Sequence, residues 1–281
     1  MNFTCLSRGV FRSVPFHLAA LQLGILFAAA PNPDEIVRRS VEAIQSDWAQ
    51  APKYSYVERD VVTKHRSVRT SKTYRVLMID GSPYNVVTAL NDEPLTTGQK
   101  AAEQWKLQME IQKRQTESDR ERRRRIAKYN KEQQHDHQML QEMMQAFQFH
   151  MAGEAQVNGH FCWILDTKPN PEYDPSDHEG RVLKGMQGRL WIDKASNQWV
   201  RVRAQVVKPV SFFGFLAKVG PGTEFQLEQE PVGDNVWMPV RFNVRVNATA
   251  LGFFDENSTE SDTYQDYRPM PQASALLQST K

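Results

Sequence analysis

The sequence predicts an α+β fold: one wide, curved antiparallel sheet with helices on one face and a long helical insertion. Three observations predict it. Apolar and polar residues alternate in about ten separate stretches, the period of strands with one dry and one wet face. Turn residues separate most of these stretches, so neighbours in sequence should be neighbours in the sheet. Between Gln99 and Ala152 the pattern stops, and a segment without Gly or Pro, rich in Gln, Glu, Lys, Arg and Met, takes its place.

The first 30 residues stand apart from this fold. Arg8 and Arg12 are their only charges, followed by the apolar run "LAALQLGILFAAA" (18–30) with Ala28-Ala29-Ala30 at its end and Pro31 just beyond. A basic start, an apolar centre and a small-residue exit are the pattern of a secretory signal peptide. The run is too short for a membrane span, which needs ~20 residues. Cys5 precedes the run and is badly placed to carry a lipid anchor. Without the leader the 35 Lys and Arg fall to 33, equal to the 33 Asp and Glu, so overall charge points to no nucleic-acid partner. Only Cys162 then remains, which excludes an intrachain disulfide and any zinc site built on cysteine pairs.

"NPDEIVRRSVEAIQSDWAQAP" reads as a helix: Asn32 caps it, Pro33 suits its first turn, Asp34 and Glu35 favour its N-terminal dipole, and Pro52 ends it. "KYSYVERDVVT" (53–63), "SVRTSKTYRVLMID" (67–80) and "PYNVVTAL" (83–90) form an antiparallel meander turning at Gly81-Ser82. The insertion, 97–150, is a long helix or helical hairpin. Trp105, Met109, Leu140, Met143, Met144 and Phe147 near its ends should pack on the sheet, while the polar middle runs along or away from the surface.

Asn158-Gly159 within "AQVNGHFCWILD" is a hairpin signal, and "TKPNPEYDPSDHEG" (167–180), with three prolines, is a loop or excursion. "GRLWID" (188–193), a turn at "KASN" and "QWVRVRAQVV" (198–207) are two more strands. The loop "PVSFFGFLAKVGPG" (209–222) leads to "TEFQLEQEP", then to "VWMPVRFNVRV" (236–246), where Val236, Met238, Val240, Phe242, Val244 and Val246 alternate with other residues. Pro239 in mid-strand should bend the sheet or leave a ladder bond open. "TESDTYQDYR" (259–268) is the last strand, and the tail, 269–281, should fray.

Motifs for catalysis are missing: the chain has no G-x-S-x-G elbow, no P-loop and no dinucleotide fingerprint. His135 and His137 in "HDH" are two apart, so on a helix they point roughly 200° away from each other and cannot share an ion. His150, His160 and His178 are scattered. The basic run "RERRRR" (120–125) is flanked by Glu117, Asp119, Glu121 and Glu132, and reads first as a solvated helix face, then as a contact for lipid headgroups or a protein partner. "DPSD" (174–177) and "DENSTESD" (255–262) lack the spacing and central Gly of a calcium loop and read as turns. No catalytic residue, cofactor or metal ligand is expected.

The signal peptide, the short helix, the Tyr-rich first hairpin, "GRLWIDKASNQWVRVRAQV" and the late "NVWMPVRFNV" (235–244) together resemble the LolA-like family of periplasmic lipoprotein-sorting proteins, with their RseB-like and LppX-like relatives. The resemblance spans most of 33–268 and departs from the family at the 97–150 insertion. It implies a single domain over 31–268 with an unclosed β-barrel, helices lidding its concave face, and acyl chains in the space between. It also implies a soluble periplasmic protein without enzymatic activity. Candidate ligand contacts are the sheet residues Val202, Phe225, Leu227, Phe242 and Val244, with Phe212, Phe213, Phe215 and Leu216 as an apolar flap. The expected partners are lipid or lipoprotein acyl chains, with peripheral membrane contact and no nucleic acid. The other reading is an envelope interaction module with a self-filled core, whose helical insertion binds a partner protein.

Overall fold

The computed structural model describes residues 31–64, 68–175, 178–212, 217–233, 236–250 and 254–270. Residues 1–30, expected to be a leader, lie outside the described residues, as do 271–281 of the expected tail (269–281), whose first residue, Pro269, instead ends the last strand. No helix among the described residues is long and apolar enough to cross a membrane.

Helix α1 (Pro33–Trp48) begins as its sequence dictates. The Asn32 side chain accepts from the Asp34 N–H at 3.0 Å, and Pro33 occupies the first turn. Its buried stripe is Ile36, Val37, Val41 and Ile44. Each such side chain contributes about 1.5–3 kcal/mol on burial.

The strands are β1 (Tyr54–Lys64), β2 (Val68–Ile79), β3 (Ser82–Leu90), β4 (Glu93–Pro94), β5 (Phe147–Val157), β6 (His160–Pro169), β7 (Met186–Asp193) and β8 (Trp199–Val206). They continue with β9 (Val210–Phe212), β10 (Ala217–Val219), β11 (Glu224–Val232), β12 (Val236–Ala250) and β13 (Phe254–Pro269). The main path runs β4-β3-β2-β1-β13-β12-β11-β8-β7-β6-β5, antiparallel throughout. Two meanders are thus joined where β1 meets β13, and the sheet is not closed into a barrel. The short β9 and β10 form a hairpin that pairs with the far end of β12, Ala217 opposite Ala250. The stretch expected to be a plain loop is therefore partly sheet, although 213–216 lie outside the described residues.

Directly opposed strand residues share a face, and this turns the register into a map of the surface. One row reads Leu165, Leu190, Val202, Leu227, Phe242, Asp262, Asp60, Lys72 from β6 across to β2. The next reads Phe149, Thr167, Gly188, Ala204, Phe225, Val244, Glu260, Val62 from β5 to β1. The face is apolar as far as β12 and turns acidic at β13.

Two further predictions resolve at residue level. Asn158 (φ 49°) and Gly159 (φ 87°) both adopt positive φ between β5 and β6, as a two-residue hairpin turn requires. Near Pro239 the β11–β12 register slips: Glu228 opposes Arg241 and Gln229 opposes Pro239, leaving Val240 as the bulged residue. The bulge breaks the single alternation expected for this strand. Trp237 and Met238 are both buried, and Trp237 joins Cys162 and Val200 in a separate cluster.

The insertion is two helices. α2 (Thr97–Thr116) and α3 (Asp119–Ala146) each open with a reciprocal capping box, Thr96 with Gln99 and Ser118 with Glu121. α2 packs Leu107 and Ile111 on Leu77 and Ile79, which by strand alternation lie on the side of β2 opposite Tyr74 and Lys72. Trp105 and Met109, expected to meet the sheet, point outward at 62% and 44% exposure. Arg114 is buried and clamps the β2–β3 turn to α2: its guanidinium donates to the Ile79 and Ser82 carbonyls at 2.7 and 2.8 Å and to Glu110 at 2.7 Å.

α3 starts at the same turn, where Arg125 donates to the Asp80 carbonyl and pairs with Glu117. It is ~42 Å long at 1.5 Å per residue and ends against β6–β8. Its polar middle does not leave the protein altogether: Arg125, Ile126, Tyr129, Gln133 and His137 are half-buried at helical spacing, ahead of buried Leu140. A six-residue helix, α4 (His178–Leu183), begins in the last three residues of the stretch expected to be loop (167–180), and β6 runs into its first three.

Candidate functional site

α1 and the last turns of α3 stand over the apolar part of the sheet. Ile36, Val37, Val41 and Ile44 meet Leu140, Leu165, Leu190, Ile192 and Trp199 in the main core cluster. Polar contacts fix α1 in place. The Trp199 indole donates to Ser40 Oγ at 2.9 Å, while Asp47 accepts from the Gln198 amide and the Trp237 backbone, both at 2.7 Å. Burial raises the Asp47 carboxyl above its usual range, against those hydrogen bonds.

Beside this core the helices stand off the sheet and leave a cavity of about 460 Å³. Its floor includes Leu190, Val202, Ala204, Phe225, Leu227 and Phe242; its roof includes Val37 and Val41 of α1 and Met139, Leu140, Met143 and Met144 of α3. Phe147, Phe149, Leu183 and Met186 belong to the same wall. Gly188 is required here: a Cβ would come within 2.6 Å of the Arg203 carbonyl oxygen, so the glycine of the "GRLWID" strand lets β7 and β8 approach.

Four residues picked out in the sequence, Val202, Phe225, Leu227 and Phe242, meet at this wall. Val244, paired between Phe225 and Glu260, is outside it. Phe213, Phe215 and Leu216 lie outside the described residues, as does the side chain of Phe212, whose backbone pairs with Ala217. Sequence spacing alone reads the roof residues of α1 and α3 as ordinary packing. Their signal was present in the helical spacing of Met139, Leu140, Met143 and Met144, but that spacing looks alike over a filled core and over a cavity.

A second space of about 490 Å³ lies on the other side of the same α3 turns, with Met139 common to both. His135, His137, Gln138, Glu142, Tyr173 and Asp174 make it polar. The His137 ring packs on Trp48, 5.0 Å between centroids. Cys162 is buried, and burial pushes its thiol up to about 11, away from nucleophilic use.

The chain was compared with known proteins. No protein-family model matches it, and no curated protein matches it in sequence. Solved structures do match. One from Vibrio parahaemolyticus, described as an outer membrane lipoprotein-sorting protein domain, is 10% identical, covers 87% of this chain and 99% of its own, and has a TM-score of 0.35. A LolA superfamily protein from Nitrosomonas europaea is 8% identical over 88% of this chain and 97% of its own, at 0.32. MucB from the MucA/MucB complex of Pseudomonas aeruginosa is 10% identical over 86% of this chain and 100% of its own, at 0.23. Identities and scores this low bring no ligand and no residue role to this chain.

Proposed function

We propose that the protein binds acyl chains of a lipid or lipoprotein in the cavity between β6–β12 and α1/α3, as a non-catalytic carrier or sensor of the cell envelope. The observation that carries this reading is the cavity wall. It has the size usual for a ligand site, and Val, Leu, Met and Phe side chains from five strands and from α1 and α3 line most of it. Each methylene buried there would contribute about 0.8 kcal/mol, so a chain of ordinary length is held without any polar chemistry. The signal-peptide pattern of residues 1–30 and the lipoprotein-sorting resemblance of the strand motifs support the same location and cargo.

Organic extraction of the purified protein followed by mass spectrometry should find co-purifying lipid, and the delipidated protein should take up a fluorescent fatty acid saturably. Finding neither would sink the carrier reading.

One observation favours the second reading, an interaction module that works through its helical insertion. Trp105 and Met109 are exposed one turn apart on α2, an apolar pair facing outward from the described residues. A Trp105→Glu variant that retains fatty-acid uptake but loses an envelope protein partner in crosslinking would assign the insertion to that partner.

A further inference from the structure

Where β13 meets β1 the sheet face gathers carboxylates. Asp60 and Asp262 are directly opposed across the ladder, Glu260 stands one step along the same face, and Glu58 opposes Tyr264 one step the other way. Like charges opposed in a sheet repel, so this concentration works against the fold unless something binds between them. One carboxylate oxygen from each of Asp60, Glu260 and Asp262 lies within 4.8 Å of the others. Asp262 is only 6% exposed, and its Oδ1, like the Oδ1 of Asp60, is buried without a hydrogen-bond partner. Buried acceptors are normally satisfied. The basic group nearest in register, Lys72 opposite Asp60, is exposed and makes no ion pair with these carboxylates.

We propose that Asp60, Glu260 and Asp262 form a binding site for Ca²⁺. The donor set is all oxygen and all anionic, the preference of a hard cation rather than of zinc or copper. Two oxygens bound to one Ca²⁺ at ~2.4 Å stand at most ~4.8 Å apart, which the three carboxylates satisfy as they are. Mg²⁺ demands near-ideal octahedral geometry at ~2.1 Å and gives up its waters reluctantly, whereas Ca²⁺ accepts the irregular oxygen set that a sheet face presents. Glu260 is exposed, which leaves the ion an entry path and room for water ligands. Glu58 adds a fourth negative charge beside the triad. Tyr56 and Tyr264, 6.0 Å apart, border it on the Glu58 side, with Tyr74 opposite Glu58 and Tyr129 of α3 near Tyr56.

Protons are the competing occupants. Burial first, then the neighbouring Glu260 and Asp60, pushes the Asp262 carboxyl up to about 6. Burial and the other three acids push Glu58 up to about 7.

The test is calorimetric titration of chelator-stripped protein with CaCl₂ at pH 7.5, alongside thermal melts with and without Ca²⁺. A saturable single-site heat and a raised Tm are expected. Asp262→Asn, nearly isosteric, and Glu260→Gln, at an exposed position, should each weaken binding by at least about tenfold, because affinity follows ligand charge. Glu224→Gln, at an exposed acid on β11, should leave it unchanged. No saturable heat and no Tm shift up to about 10 mM Ca²⁺, above the range of weak extracellular sites, would overturn the proposal. So would Ca²⁺ affinity unchanged in both Asp262→Asn and Glu260→Gln. Should Asp262→Asn fail to fold, Glu260→Gln alone decides.

Discussion

Replacing Ala204 by leucine tests whether the cavity holds the guest. Ala204 lies on β8 between Gly188 and Phe225, half-buried, and its methyl group forms part of the floor. Leucine adds three carbons, which point into about 460 Å³ of space rather than into packed atoms. The fold should therefore keep its melting temperature, since overpacking penalties of ~1–3 kcal/mol arise where there is no room. A bound chain, in contrast, would give up about three methylenes of contact. At ~0.8 kcal/mol each the loss is about 2.4 kcal/mol, or roughly 50-fold in affinity. Fluorescent fatty-acid titration reads the affinity, and a circular dichroism melt controls for the fold. An unchanged dissociation constant at an unchanged Tm would refute the assignment of the guest to this space.

Other consequences can be measured without a ligand. Arg114→Ala leaves the Ile79 and Ser82 carbonyls without their donor and Glu110 without its partner; the cost should be about 3 kcal/mol, read as a fall in denaturation midpoint with the slope unchanged. Ser40→Ala removes the acceptor of the Trp199 indole and should cost about 1 kcal/mol, with a change in tryptophan fluorescence; no effect on either would mean that α1 is held by its apolar stripe alone. The raised carboxyls at Glu58 and Asp262 give a pH signature in metal-free buffer. The folded chain holds protons that the unfolded chain, with carboxyl pKa values near 4, has released. Their contribution is therefore most favourable below about pH 4, declines as pH rises through 6 to 7, and is level above that. Asp262→Asn should flatten the decline in pH-dependent melts, and an identical profile in the variant would contradict the shift.

Much of the fold is local and therefore legible. Asn32-Pro33 starts α1, Asn158-Gly159 turns β5 into β6, and Pro239 marks the bulge in β12, each because one residue's backbone or side-chain chemistry restricts the options. What could not be read depends on distant partners. α2 carries Trp105 and Met109 on one side and Leu107 and Ile111 on another; both pairs have helical spacing, and only the position of β2 selects the second. "DENSTESD" (255–262) is poor in β-formers and reads as a turn, yet all of it extends along β13, paired to β12 throughout and to β1 over 258–262. The volume under α3 is equally non-local, since it depends on how far one helix stands from a sheet assembled from six strands.

The junction of β1 with β13 bears on how the chain acquires its structure. Tyr54 pairs with Pro269, so the seam between the two meanders closes a loop of roughly 200 residues, a contact whose entropy must be met before it is rewarded. Each meander can zip locally as it is made, but the seam waits for the last strand. Until then the inward edges of β1 and β12 are unpaired templates, open to pairing with another chain. Any factor that accompanies this protein during folding would have to shield those two edges, and the chain is exposed to misassembly for the time β13 takes to arrive.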